Sequence, residues 1–329
     1  MLKALIIGCG KIAGGNANEL TSHAGAIKKE KRITLAGCVD IIPEKAEVFS
    51  KKYKCKSYSD LKSALEQSNP DFISICTPDL SHFKIAEKIL KSKNCPRLLF
   101  IEKPICSDPT EYQKLKKLTS QKEVIIVVNH TRRFNQQFSA LKELLHSGEI
   151  GSPIRVNATY YSGLFHNGSH IVDTINYLLD DYINWTMVQK ALASPYEGDP
   201  TLELRGEMNN SGAEVVISAM DETYYQLFEF DFWHKHGRLQ IEDFGDKFRL
   251  HKQVTNEIGE RVLKEVNFKI PPNDKTEMQV AICRICDFLE DNHLRRLDNV
   301  TLIGVEPTMK MLWQAKNLYL KQTDDKTRS

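Results

Sequence analysis

The chain of 329 residues is 41% hydrophobic and 27% charged, with a formal net charge of +2. That composition supplies buried cores and argues against a disordered chain or a nucleic-acid binder. The length predicts about two domains, and apolar runs such as 124–128 are far too short to cross a bilayer.

Residues 3–7 read as a strand that runs directly into glycines, so the N-terminus has neither signal nor transit-peptide character. Further apolar runs at 33–39, 71–76, 97–101 and 123–128 alternate with helical stretches at 44–52, 59–67, 81–92 and 108–120. Helical or loop material is expected over 16–31. Asp108-Pro109 opens the last of these helices as an N-cap followed by proline at the first helical position. Repeated βα units with near-continuous apolar strands predict a doubly wound parallel sheet, giving a first domain over 1–128. Beyond it, a substrate-binding and oligomerisation domain over 129–329 is expected. Helices are predicted at 136–146 and 168–179, and a strand at 154–161. Strands follow at 187–192, 202–208, 214–220, 225–233, 238–242 and 248–253, consistent with a large, mostly antiparallel open sheet. Helices at 276–291 and 307–321 close the chain, ahead of a frayed polar tail at 324–329.

Eight cysteines, several in apolar runs, are expected as reduced thiols of a cytoplasmic protein. Cys283 and Cys286 form a C-x-x-C without a second pair, so no metal site is expected. The His-x-His of His234 and His236 reads as exposed polar chemistry.

Gly8-Cys9-Gly10-Lys11-Ile12-Ala13 fits G-x-G-x-x-G/A at the end of the first strand. Gly8 permits the tight turn, Gly10 admits a pyrophosphate close to the backbone, and Ala13 lets the following helix pack on the sheet with its N-terminus toward the phosphates. Asp40 ends the second strand, where a carboxylate can hold the adenosine ribose hydroxyls. The same carboxylate repels a 2′-phosphate, and Ile41, Ile42 and Pro43 offer no arginine to bind one, which favours NAD over NADP.

Two more motifs follow strands: Cys76-Thr77-Pro78-Asp79-Leu80-Ser81-His82 and Glu102-Lys103-Pro104. With the glycine loop they resemble the Gfo/Idh/MocA oxidoreductase family over nearly the whole chain. The resemblance implies a Rossmann domain, then an α/β domain whose open sheet often serves as the oligomer interface. A sheet rich in residues such as Tyr224, Tyr225, Phe228, Phe230 and Phe232 needs one face covered by a partner subunit, which predicts a homodimer or homotetramer. The resemblance also implies hydride transfer between a nicotinamide and a hydroxyl carbon of a sugar, cyclitol or nucleotide-linked sugar. By position it makes Lys103 the active-site lysine, also beside the cofactor, and puts Thr77, Pro78, His82 and Glu102 with the cofactor. It matches Arg133 to the arginine after the last Rossmann strand, as a substrate-binding or supporting residue. Chemically, an ammonium at the C-terminal end of a parallel strand can favour an alkoxide as it forms.

The family's second motif, D-x-x-x-H-x-x-D, aligns with His166-Asn167-Gly168-Ser169-His170-Ile171-Val172-Asp173. His170 falls on the catalytic histidine and Asp173 on the second acid, while His166 replaces the leading aspartate. Positions 166, 170 and 173 share one face if a single helix covers them. An imidazole at His170 can take a hydroxyl proton while hydride leaves the same carbon. Asp173, His166 and Asn167 then support the site or bind substrate. The alternative is a dinucleotide-binding sensor of the same fold, against which the intact Lys103 and His170 argue.

Overall fold

The apolar runs of the first 130 residues assemble into one parallel sheet. Its strands are β1 (Leu2–Ile7), β2 (Ile33–Val39), β3 (Lys56–Tyr58), β4 (Phe72–Ile75), β5 (Leu98–Glu102) and β6 (Ile125–Asn129), in the order β3-β2-β1-β4-β5-β6. Helices α1 (His23–Lys29), α2 (Pro43–Tyr53), α3 (Leu61–Ser68), α4 (His82–Leu90) and α5 (Pro109–Lys122) connect them. Every residue of β4 and β5 is buried, as a strand covered on both faces must be. The order reverses between β1 and β4, so the crevice for a ligand lies outside the carboxyl ends of those strands. This is a computed structural model, and it describes residues 1–15, 19–291 and 297–328.

Two local expectations fail here. β3 is too short and polar, at Lys56-Ser57-Tyr58, to be read from its own sequence. The helix expected straight after the glycine loop is a single turn at 11–14, and α1 begins only at His23, capped by Ser22, which accepts the Gly25 N–H at 3.2 Å. Residues 16–18 of the expected 16–31 stretch lie outside the described residues.

The following segment contains α6 (Gln136–His146), β7 (Pro153–Tyr160), a π-helical turn (Gly163–Asn167) and α7 (Gly168–Leu179). Seven strands come next: β8 (Ile183–Leu192), β9 (Thr201–Met208), β10 (Glu214–Ala219), β11 (Glu229–His234), β12 (Gly237–Glu242), β13 (Lys247–Thr255) and β14 (Arg261–Val266). The sheet order is β14-β13-β12-β11-β7-β10-β9-β8; β7 and β10 run parallel and the other neighbours antiparallel. β14 was not expected, and its alternation is weak because most of it is exposed. β11 starts at Glu229 and not at 225, leaving Tyr224 and Tyr225 in the preceding loop.

Phe230 and Phe232, expected to need a partner subunit, are 2% and 0% exposed within this chain. Their face of the sheet meets the chain's own helices: Phe138 of α6 packs edge-on to Phe248, and buried residues of α7 back β7. The opposite face is polar, with Arg238 paired to Asp231 and lying over the Trp233 ring. The apolar-face argument for an oligomer therefore fails.

Helix α8 (Glu277–Asp291) and helix α9 (Glu306–Arg328) end the chain. The expected frayed tail is helical through Arg328. By contacts the chain forms two units, Met1–Asn135 with Asn273–Glu306, and Gln136–Pro272 with Pro307–Ser329. This differs from a single cut at 128/129. Residues of α8 explain why: Ile282, Ile285 and Leu289 share a core with Ala24 and Ile27 of α1. Arg32 reaches Asp287 at 2.6 Å, and the Leu302 N–H bonds to the Ile126 carbonyl of β6 at 3.0 Å. Helix α9 serves the second unit, where the Trp185 indole N–H bonds to the Met311 carbonyl at 2.9 Å.

Candidate active site

The glycine loop is shaped by its neighbours. Gly8 has φ +89°, and a Cβ there would stand 2.7 Å from the Cys76 carbonyl oxygen and 2.9 Å from Thr77 Cγ2. Only glycine fits. At Gly10 a Cβ would meet nothing within 4 Å, so the open space beside that backbone is available to a ligand. Lys11 and Ile12 are exposed on the same turn, and Ala13 is fully buried against the core. The Asp40 carboxylate accepts the Cys9 N–H at 2.7 Å and the Ile42 N–H at 2.9 Å, which fixes it beside the loop. These residues fit the adenosine and pyrophosphate portions of a dinucleotide.

The loops after β4 and β5 are joined by His82. Its Nε2 lies 2.7 Å from the Thr77 carbonyl and its Nδ1 2.7 Å from the Pro104 carbonyl, with the side chain fully buried. His82 thus braces the two loops and is not exposed to a cofactor, contrary to expectation. Thr77 and Pro78 form the rim of this brace, with the Ser81 hydroxyl within 2.7 Å of Thr77 Oγ1 and 2.6 Å of the Pro78 carbonyl. Lys103 is half-buried at the end of β5.

Glu102 also departs from its expected contact role. Its Oε1 accepts His23 Nε2–H at 2.7 Å and Asn129 Nδ2–H at 2.7 Å, inside the sheet. Burial pushes this carboxyl upward, but the bonds from His23 and Asn129 and the Lys103 charge outweigh it and hold it below the usual range. His23, Ser74 and Asn129 were not anticipated. Polar Ser74 within an otherwise apolar strand was the available signal.

Arg133, expected to bind substrate or support the site, is 4% exposed, and its Nη1 donates to the Asn299 carbonyl at 2.6 Å. It clamps the returning segment 299–304 onto the first unit.

In the second unit, the histidine motif does not lie on one helix. His166 sits on the π-helical turn, and α7 carries only His170 and Asp173. The His166 ring stacks on Tyr196 at 3.7 Å between centroids. Asp199 accepts the backbone N–H groups of Phe165 and His166, each at 2.9 Å, and so anchors the turn. This is a carboxylate where the motif lacks one, but it serves the backbone. Asp173 is 2% exposed and accepts the Thr308 hydroxyl at 2.8 Å. Of the two expected roles, supporting the site or binding substrate, this buried bond to α9 fits the supporting one. His170 remains half-buried, its ring edge-on to Phe228 at 6.3 Å. Asn167 bonds to Tyr161, whose phenol burial nevertheless pushes up.

Residues 2–130 match the family model described as an oxidoreductase family with an NAD-binding Rossmann fold. The chain is 25% identical over 265 residues to the inositol 2-dehydrogenase/D-chiro-inositol 3-dehydrogenase of Lacticaseibacillus casei, covering 74% of this chain and 73% of that one. Among solved structures, UDP-N-acetylglucosamine 3-dehydrogenase from Acidithiobacillus ferrooxidans superposes with a TM-score of 0.73 at 17% identity, over 96% of this chain and 97% of the other. An oxidoreductase from Agrobacterium radiobacter in complex with NAD+, L-tartaric acid and magnesium gives 0.72 at 17% identity, over 94% of each. Among the described residues, no helix is long and apolar enough to cross a membrane.

Proposed function

We propose, from the Gfo/Idh/MocA oxidoreductase family to which this chain belongs through the Rossmann fold of residues 2–130, that it transfers hydride between NAD and a hydroxyl carbon of a sugar, cyclitol or nucleotide-linked sugar. The observation that carries the reading is the shared carboxyl edge of one sheet. The Gly8–Gly10 loop leaves β1 there, and Lys103 follows the end of β5. NAD, when bound, supplies the hydride acceptor for the alcohol. The Lys103 ammonium hydrogen-bonds the reacting oxygen and favours the alkoxide. The His170 imidazole takes the hydroxyl proton. Asp173 holds α7 to Thr308 of α9 and so keeps His170 in place.

The test is reduction of NAD+ by the full chain with myo-inositol, D-chiro-inositol and UDP-N-acetylglucosamine, followed by NADH absorbance. Turnover of a polyol or linked sugar is expected; binding of NAD+ with no turnover of any of them overturns the substrate class. NADH should bind more tightly than NADPH. Asp40→Ala should narrow that preference by on the order of tenfold, because the like charge facing the 2′-phosphate is gone. Tighter NADPH binding by the wild type overturns the role of Asp40.

The assembly that goes with this reading is a homodimer or homotetramer, with Tyr224 (78% exposed) and Tyr225 (61%) as surface anchors. Sedimentation showing only monomer removes it. The compartment proposed is the cytoplasm, where eight free thiols stay reduced.

A further inference from the structure

Glu102 ends β5 on the face of the sheet that carries Ser74 and Phe100. Register places Ser74 beside Phe100 and Glu102 beside Asn129. Glu102 is 9% exposed, and its Oε1 holds both His23 and Asn129 at 2.7 Å. The other nitrogen of His23 is 3.1 Å from Ser74 Oγ, and its ring rests against Phe100 at 4.7 Å. Serine, histidine and carboxylate in this order resemble a hydrolytic triad. Ser74 and His23 are both fully buried, so no substrate reaches the hydroxyl. The group is a mount for a charge.

We propose that Glu102, held by His23 and Asn129, is the fixed counter-charge of the nicotinamide end of the cofactor site, acting through space and not by contact. The inference rests on the NAD reading above. In a doubly wound sheet the two halves of a dinucleotide lie on either side of the strand-order reversal. Asp40 after β2 marks the adenosine side, which leaves the ends of β4 and β5 for the nicotinamide. Lys103 puts an ammonium at that edge. An ammonium alone disfavours the nicotinamide cation relative to neutral dihydronicotinamide. A carboxylate one residue away offsets it, and a buried charge is screened little by salt. His23 and Asn129 are positioning residues.

The experiment needs no substrate: dissociation constants of NAD+ and NADH are measured calorimetrically for the full chain at one pH. Glu102→Gln keeps size and acceptor but removes charge. It should raise the ratio Kd(NAD+)/Kd(NADH) by on the order of three- to tenfold. Glu102→Asp restores charge and should hold the ratio near wild type even where both affinities fall. Lys103→Met should move the ratio the opposite way, and because Lys103 is half-buried at a strand end it tests the idea even where Glu102→Gln does not fold. Equal weakening of both ligands in Glu102→Gln means a purely structural role and overturns the proposal, as does an unchanged ratio in Lys103→Met. A wild type that binds neither nucleotide overturns the cofactor reading itself.

Discussion

His170→Ala and Lys103→Ala are each expected to lower kcat by about 10²–10⁴-fold, the range for a positioned acid–base group, with the loop that holds the cofactor's phosphates intact. On the proposed reading the imidazole removes the proton and the ammonium stabilises the oxygen left behind, so losing either would leave the developing charge uncompensated. Neither residue belongs to the glycine loop or to the Asp40 anchor. Kd for the nucleotides should therefore change far less than kcat. Stopped-flow turnover beside nucleotide titration separates the two quantities. Near-wild-type turnover in both variants would move the chemistry to another site on the same fold.

Gly8→Ala should cost stability and binding together, whereas Gly10→Ala should cost binding alone. At Gly8 the backbone is left-handed with φ +89°, and the added methyl meets the Cys76 carbonyl at 2.7 Å. That obstacle is backbone directly after β4 and cannot swing aside as a side chain would. Strain of this kind is worth about 1–3 kcal/mol before the clash is counted, which corresponds to roughly 2–4 °C of Tm per kcal/mol in a chain of this class. At Gly10 the same methyl meets nothing within 4 Å, so thermal unfolding should match wild type while NADH affinity falls at least about tenfold from the blocked pyrophosphate approach. Calorimetry and fluorescence titration of both variants give the contrast. A Gly10→Ala protein that binds NADH like wild type would show that the cofactor does not approach this turn.

The parallel sheet, its glycine loop and the mostly antiparallel second sheet were readable from the sequence because hydrophobic period is a local property. Apolar strands such as Phe72–Ile75 and Leu98–Glu102 announce burial on both faces. The helices Gln136–His146 and Gly168–Leu179 are found where the periodicity places them. The roles of polar side chains were not readable in this way. Arg133, His82, Glu102 and Asp173 have the chemistry of ligand-binding groups. Each is buried on a partner 22 to 166 residues away in the sequence but within the same unit: Asn299, Pro104, His23 and Thr308. A buried polar group must find a partner when water is removed, and that partner is chosen by which strands and helices meet, not by neighbours in sequence. The return of residues 273–306 to the first unit has the same origin. The apolar stripe of α8 was visible in the sequence, but only the assembled fold decided that α1 would cover it.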